Sequence, residues 1–271
     1  RGTYFKFFKK LIPAHAKSVL YPATSTKQSL DTNKPTKNLL TNQKFNIVLQ
    51  HTESHFDLYY CANKFVIFDK FATDKFVSYK QDDREYDICF VATDQQPTKN
   101  HDLFLRFLSY LEQIKKKCHI VFVGDIHNIL AKHNQPNIFS NFDYVKLTNK
   151  NQCRRSELIE IYNNSRINII FSGRDAYPRV IAESSACGCF NVALDTLSDG
   201  KTFYDGYLGT LIGDPNIKKI LKSSASLSYE PSEILWTKII KCMDKKYDHA
   251  KISASFKKKY NLDNLMKKIY G

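Results

Sequence analysis

Residues 88–108 read Ile-Cys-Phe-Val-Ala-Thr-Asp-Gln-Gln-Pro-Thr-Lys-Asn-His-Asp-Leu-Phe-Leu-Arg-Phe-Leu (ICFVATDQQPTKNHDLFLRFL). The apolar run Ile88 to Ala92 is short enough to be a buried strand. A polar loop carrying Lys99 and Asn100 follows it. Apolar residues then recur at 103, 104, 107, 108, 111 and 114, one face of a helix over 101–116. Strand, loop and helix in that order make half of a βαβ unit, and a chain of such units folds as a parallel α/β sheet.

The same alternation extends in both directions. Strands are expected at Ser18–Tyr21, Phe45–Leu49, Phe65–Phe68, Ile88–Ala92, His119–Val123, Tyr144–Leu147, Ile167–Phe171 and Phe190–Leu194. Segment 156–164 (SELIEIYNN) reads as a helix with Ser156 as its N-cap. Residues 24–44, rich in Thr, Ser, Asn and Lys, read as a long loop. The stretch 78–87 (SYKQDDREYD) has no apolar run, which places a domain boundary there. Residues 1–84 would form a reduced Rossmann-like domain with three strands. Residues 85–271 would form a Rossmann-like ligand-binding domain whose last helix can pack back on the first. No internal repeat is visible.

Bulk properties narrow the class. With 42% hydrophobic residues the 271-residue chain can bury a core, which excludes a disordered protein. Its seven cysteines are odd in number and scattered through apolar contexts, as expected of buried thiols in a reducing compartment. Cys187 and Cys189 lack the partners of a zinc site. No apolar run approaches the roughly 18–20 residues that cross a bilayer, and the start has no signal-peptide form. A cytoplasmic protein is expected, and an opening on Arg1 rather than Met suits a piece of a longer one. The formal charge of +14 fits nucleic acid, an anionic membrane or small anionic ligands. Because the lysines are spread along the chain rather than clustered with aromatics, nucleic acid is the least favoured. The nine lysines of 241–268 read as a solvated helix face or as a peripheral membrane contact.

The chemistry concentrates in 172–188, SGRDAYPRVIAESSACG. Pro178 suits a first helical turn, so a helix should begin near Tyr177 and end about Cys187. Backbone N–H groups around Ala176 to Arg179 then offer an anion site at a positive helix end, with Arg174 and Arg179 beside it. Glu183 lies one turn past Arg179 and can accept from two adjacent ribose hydroxyls. Asp175, ahead of the helix, can meet a second hydroxylated ring. Small residues at 182, 184, 185, 186 and 188 would let the helix sit close on its sheet. The plainer reading makes Asp175 a helix cap and Glu183 a surface residue paired with Arg179. Lys99 and Asn100, placed at the carboxyl edge of the sheet, add a charge suited to a diphosphate. Gly124, ending the strand VFVGD, permits close ligand approach.

Together these residues resemble the retaining GT-B glycosyltransferases of the "glycosyl transferases group 1" type. That family pairs two acids with seven residues between them, with Gly-aromatic-Pro after the first and Ala-Cys-Gly after the second. Here the pattern stands as Asp175, Ala176-Tyr177-Pro178, Glu183 and Ala186-Cys187-Gly188. The shortened first acid and Ala176 imply a different or shifted sugar. The resemblance runs over 85–271 and includes Lys99, VFVGD, the 156–172 unit and the closing FKKKYNLDNLMKKIYG. It implies a GT-B-like α/β fold of two Rossmann-like parallel-sheet domains. It also implies a UDP- or GDP-linked sugar donor with Lys99 on the diphosphate, Glu183 on the ribose and Asp175 on the transferred sugar. Thr93-Asp94 stand where the family often has an arginine, so Arg174 or Arg179 would supply that charge. His51, after FNIVLQ, resembles a donor-facing histidine of the acceptor-side domain, with His55 as its alternative. The acceptor would be a hydroxyl of a glycan or glycolipid, and neither a metal nor a cofactor is implied. Two other readings stay open: an inverting exostosin-like GT-B transferase, and a non-catalytic module that binds nucleotide or nucleic acid.

Overall fold

Backbone packing divides the chain into two units, residues 1–71 with 260–271, and residues 72–259. The computed structural model describes residues 19–20, 47–50, 63–66, 76–79, 83–92, 97–134, 138, 142–172, 179–197, 204–214, 216 and 231–260. In the first unit β1 (Val19–Leu20), β2 (Ile47–Gln50) and β3 (Asn63–Val66) pair in parallel in that order, at three of the expected places. The expected loop at 24–44 lies outside the described residues.

The second unit is a six-stranded, fully parallel sheet. Its strands are β4 (Tyr86–Val91), β5 (Cys118–Val123), β6 (Val145–Lys150), β7 (Ser165–Ile170), β8 (Phe190–Leu194) and β9 (Gly209–Ile212). Their spatial order is β6-β5-β4-β7-β8-β9. The chain therefore builds outward from β4 to one side, then crosses back to start β7 on its other flank. That reversal leaves a crevice at the carboxyl ends of β4 and β7, the place where open α/β sheets bind ligands.

Helices α1 (His101–Gln113), α2 (Ile126–Lys132), α3 (Arg155–Asn163), α4 (Arg179–Ala186), α5 (Glu233–Met243) and α6 (His249–Lys259) flank the sheet. The central strands are buried without alternation, as in Ile88-Cys89-Phe90 and throughout Phe190–Leu194, because helices cover both faces. Phe90 anchors the core under α1, with ring centroids 4.4 Å from Phe104, 5.7 Å from Phe122 and 5.8 Å from Phe171. Each such ring contributes about 1.5–3 kcal/mol on burial. Among the described cysteines all are free; 89, 118, 187, 189 and 242 are buried and Cys153 is half-buried.

Several boundaries differ from the sequence reading for identifiable reasons. Helix α1 stops at Gln113 rather than 116 because Lys115 takes a left-handed φ of 54°. Arg154, not Ser156, caps α3, since the Glu157 carboxylate reaches back to the Arg154 N–H at 2.7 Å, which fixes the cap two residues earlier. The stretch 78–87, read as a domain boundary, belongs to the second unit, where the preceding Phe76 is buried against Tyr162 and the Tyr79 N–H donates to Asn163 Oδ1 at 2.9 Å. The lysine-rich tail is not one helix, because α5 ends at Met243 before α6 begins at His249. Helix α6 turns Ile252, Ser253 and Phe256 inward and Lys251, Lys257 and Lys258 outward, the arrangement of a solvated basic face. Among the described residues no helix is long and apolar enough to cross a membrane.

Helix α4 closes with both hydrogen bonds of a Schellman motif, Cys189 N–H to Ser184 O at 2.8 Å and Gly188 N–H to Ser185 O at 2.9 Å. Gly188 holds φ at 80°, and a Cβ there would stand 2.3 Å from His249 O. Strained backbone and steric overlap act together at this position. Gly188→Ala is expected to destabilise the protein by about 2–4 kcal/mol, read as a lower midpoint in chemical denaturation.

Candidate active site at the sheet switch point

The loop leaving β4 is fixed by Asn100. Its backbone is left-handed (φ 52°) and its side-chain amide donates to Phe171 O, just past β7, at 2.6 Å. One amide thus bridges the two strand exits that border the crevice. Lys99 precedes it at the end of a 3₁₀ turn, Pro97–Lys99, and is half-buried. Directly behind, His101 is buried edge-on to Phe90 and Phe122. The turn is held between two anchored points.

Gly124 sits at the neighbouring exit, after β5. Its N–H donates to Lys150 O at 3.0 Å, and a Cβ in its place would lie 2.3 Å from Ala92 O. Close approach of the protein's own backbone already requires glycine there. Asp125 then caps α2, its Oδ1 accepting from the Asn128 N–H at 3.0 Å.

Beyond β7, Phe171 and Ser172 are buried. Arg174, Asp175, Ala176 and Tyr177, like His51, lie outside the described residues. From Arg179 onward α4 is clear, with Arg179 exposed and Glu183 only 9% exposed. Glu183 is therefore not the surface residue of the plainer reading. Burial pushes its carboxyl above the ordinary range, while Arg179, Arg155 and the Tyr162 hydroxyl pull it back. A buried acid beside two guanidinium groups at the carboxyl edge of a parallel sheet is equipped to accept from ligand hydroxyls with little competition from water.

Helix α4 is seated by polar side chains that the sequence reading missed. Asn168 and Asn191 are fully buried register partners on β7 and β8. The Asn168 amide donates to Asn191 Oδ1 at 2.8 Å, and the Ser184 hydroxyl donates to the same oxygen at 2.7 Å. The Asn191 amide donates in turn to Ser185 Oγ at 2.8 Å. Because the two serines share the seat, the helix has one rotation about its axis, and that rotation sets where Glu183 points. Ala182, Ser184, Ser185 and Ala186 are wholly buried, the close packing that their small size suggested.

The carboxyl end of α4 is equally well held. Ser253 Oγ donates to Ala186 O at 2.6 Å, Arg84 Nη2 to Cys187 O at 3.0 Å and His249 Nδ1 to Gly188 O at 2.8 Å. These carbonyls would otherwise be orphans of the helix end. Among the described residues no three His, Cys, Asp or Glu side chains come together as a metal site.

Residues 72–235 match the family model described as "Glycosyl transferases group 1", and the chain belongs to this family. No curated protein matches it in sequence. Similar solved structures include sucrose-phosphate synthase from Thermosynechococcus elongatus, with 11% identity, 99% of this chain and 70% of that one covered, and a TM-score of 0.64. Anabaena HepE, solved with UDP-glucose, gives 13% identity, 93% and 70% coverage and a TM-score of 0.59. The GtfA/B complex gives 14% identity, 93% and 52% coverage and 0.58. The present chain thus spans about half the length of the GtfA/B relative. At these identities the likeness shows the fold, which is the GT-B-like α/β architecture.

Proposed function

We propose that the second unit is the donor-binding half of a metal-independent, retaining glycosyltransferase. It would move a sugar from a UDP- or GDP-linked donor to a hydroxyl of a glycan or glycolipid. The observation that carries this reading is Glu183: a carboxylate nine-tenths buried on a helix that starts at the switch-point crevice, within the span matched by the family. Lys99, on the loop that Asn100 ties to the β7 exit, would face the diphosphate, aided by Arg174 or Arg179. The N–H groups around Ala176 and Tyr177 would hold the phosphate and Asp175 the transferred sugar, and His51 is the further residue that the family resemblance assigns to that sugar. Gly124 would form the crevice wall.

In this reaction the bond from the anomeric carbon to the phosphate oxygen breaks, and its electron pair leaves on the diphosphate. Lys99 and the helix N–H groups stabilise that charge. The acceptor oxygen bonds to the same face, and its proton passes to the departing phosphate oxygen. A cytoplasmic setting with the outward lysines of α6 against an anionic lipid surface would suit a glycolipid acceptor.

The test is a thermal-shift screen with uridine, guanosine and adenosine diphosphates beside a short oligonucleotide, followed by turnover of the matching nucleotide sugars. Stabilisation by one nucleoside diphosphate and product of retained anomeric configuration by NMR are expected. Binding to the oligonucleotide alone, with steep salt dependence, would overturn the reading. Glu183→Ala is expected to raise the Kd of that nucleoside diphosphate about 10- to 100-fold, through loss of hydrogen bonds to a charged acceptor.

A further inference from the structure

Tyr162 occupies the last turn of α3 with no exposed surface. Two contacts fix it: its carbonyl accepts from Arg84 Nη1 at 2.8 Å, and its ring lies 6.4 Å from that of Phe76 at 52°. Phenylalanine would satisfy both. The hydroxyl is the added feature, and this oxygen is buried without a hydrogen-bond partner of regular geometry. Such a group is disfavoured in a core and calls for an explanation. The charged side chain that acts on it most strongly is Glu183, on the adjoining helix.

Resting on the reading of Glu183 as the ribose ligand, we propose that Tyr162 is a positioning residue: its hydroxyl donates to one Glu183 oxygen and leaves the other turned toward the ligand diol. A glutamate side chain has three torsions, and one fixed donor removes much of that freedom before the nucleotide arrives. The donor also favours the charged form of the acid, against the burial that disfavours it. The other groups that act on Glu183 are Arg179 on its own helix, Arg155 on α3 and the Cys187 thiol a turn further on. Helix α6, which packs on the same helix, brings Lys257 to bear on Cys187.

The direction of the pH effect follows. The carboxylate accepts from two ligand hydroxyls, whereas the neutral acid keeps a proton on one oxygen, so affinity falls as pH drops through the Glu183 titration. Removing the phenol donor raises the pKa of the acid and moves this acidic limb to higher pH.

The experiment compares the wild-type chain, Tyr162→Phe, Glu183→Ala and the double variant by calorimetric titration with whichever of UDP or GDP stabilises the wild type, between about pH 5 and 8. Tyr162→Phe is expected to keep the wild-type melting temperature, to raise Kd about tenfold, to shift the acidic limb upward, and to add nothing in the Glu183→Ala background. If Glu183→Ala weakens binding while Tyr162→Phe matches wild type at every pH, or if the tyrosine change costs as much without Glu183 as with it, the positioning role is wrong and the ribose reading stands. If Glu183→Ala binds as wild type, the ribose reading itself fails and the positioning role with it.

Discussion

Lys99→Ala lowers turnover by about 10²–10³-fold, the expected loss of one preorganised donor to a developing negative charge. The size follows from how the loop is held. Asn100 spans from the β4 exit to Phe171 O, and its left-handed backbone sets the turn that ends in Lys99. A charge fixed before the reaction needs no reorganisation when the diphosphate departs. Lys99→Arg should recover only part of the rate, since a planar fork does not reproduce a compact point charge. Initial rates with the nucleotide sugar that binds, measured at saturating donor, check both variants. Turnover at the wild-type level in Lys99→Ala would remove the lysine from the mechanism.

Arg84→Ala is expected to cost roughly 2–5 kcal/mol of stability, because buried carbonyls lose a charged donor. The guanidinium is 8% exposed and serves three chain segments: Tyr162 O at 2.8 Å, Ser165 O at 2.7 Å and Cys187 O at 3.0 Å. Two of these close the carboxyl ends of α3 and α4, where a cation also meets the negative pole of each helix. Calorimetry should show Tm lower by roughly 5–15 °C. Arg84→Lys, with a single ammonium for three acceptors, should fall between. A melting temperature unchanged in Arg84→Ala would mean that water satisfies those carbonyls without cost.

The sheet was legible because its strands are apolar runs with amphipathic or small-residue stretches between them. Six of the eight expected strands overlap observed ones by three residues or more, Phe65–Phe68 shares two residues with Asn63–Val66, and Ser18–Tyr21 contracts to the pair Val19–Leu20. Strand β9 was not read, since Gly209-Thr-Leu-Ile offers only four residues and begins with a glycine. That glycine has a tertiary reason, for a Cβ would strike Asn191 O at 2.4 Å. The stretch 78–87 read as a domain boundary because it has no apolar run, and no local pattern announces the burial of Arg84 within it. The places of Lys99 and Asn100 at a strand exit and of Glu183 on a helix were legible in the sequence. Asn168 could not: within Ile-Asn-Ile-Ile its amide looks like an interruption, and its purpose shows only when Asn191 and Ser184 come alongside. Tyr162 was hidden for a similar reason, since an aromatic residue on the inner face of a helix reads as core.

The asparagine pair on β7 and β8 also constrains how this lineage can drift. The Asn168 amide and the Ser184 hydroxyl both donate to Asn191 Oδ1, so a single replacement takes a hydrogen bond from the remaining asparagine in a dry interior, a loss that exchanging both for apolar residues of like shape avoids. Descendants should therefore carry the two asparagines together or lose them together, and with them the freedom of Ser184 to vary. The seat beneath α4 is inherited as a set.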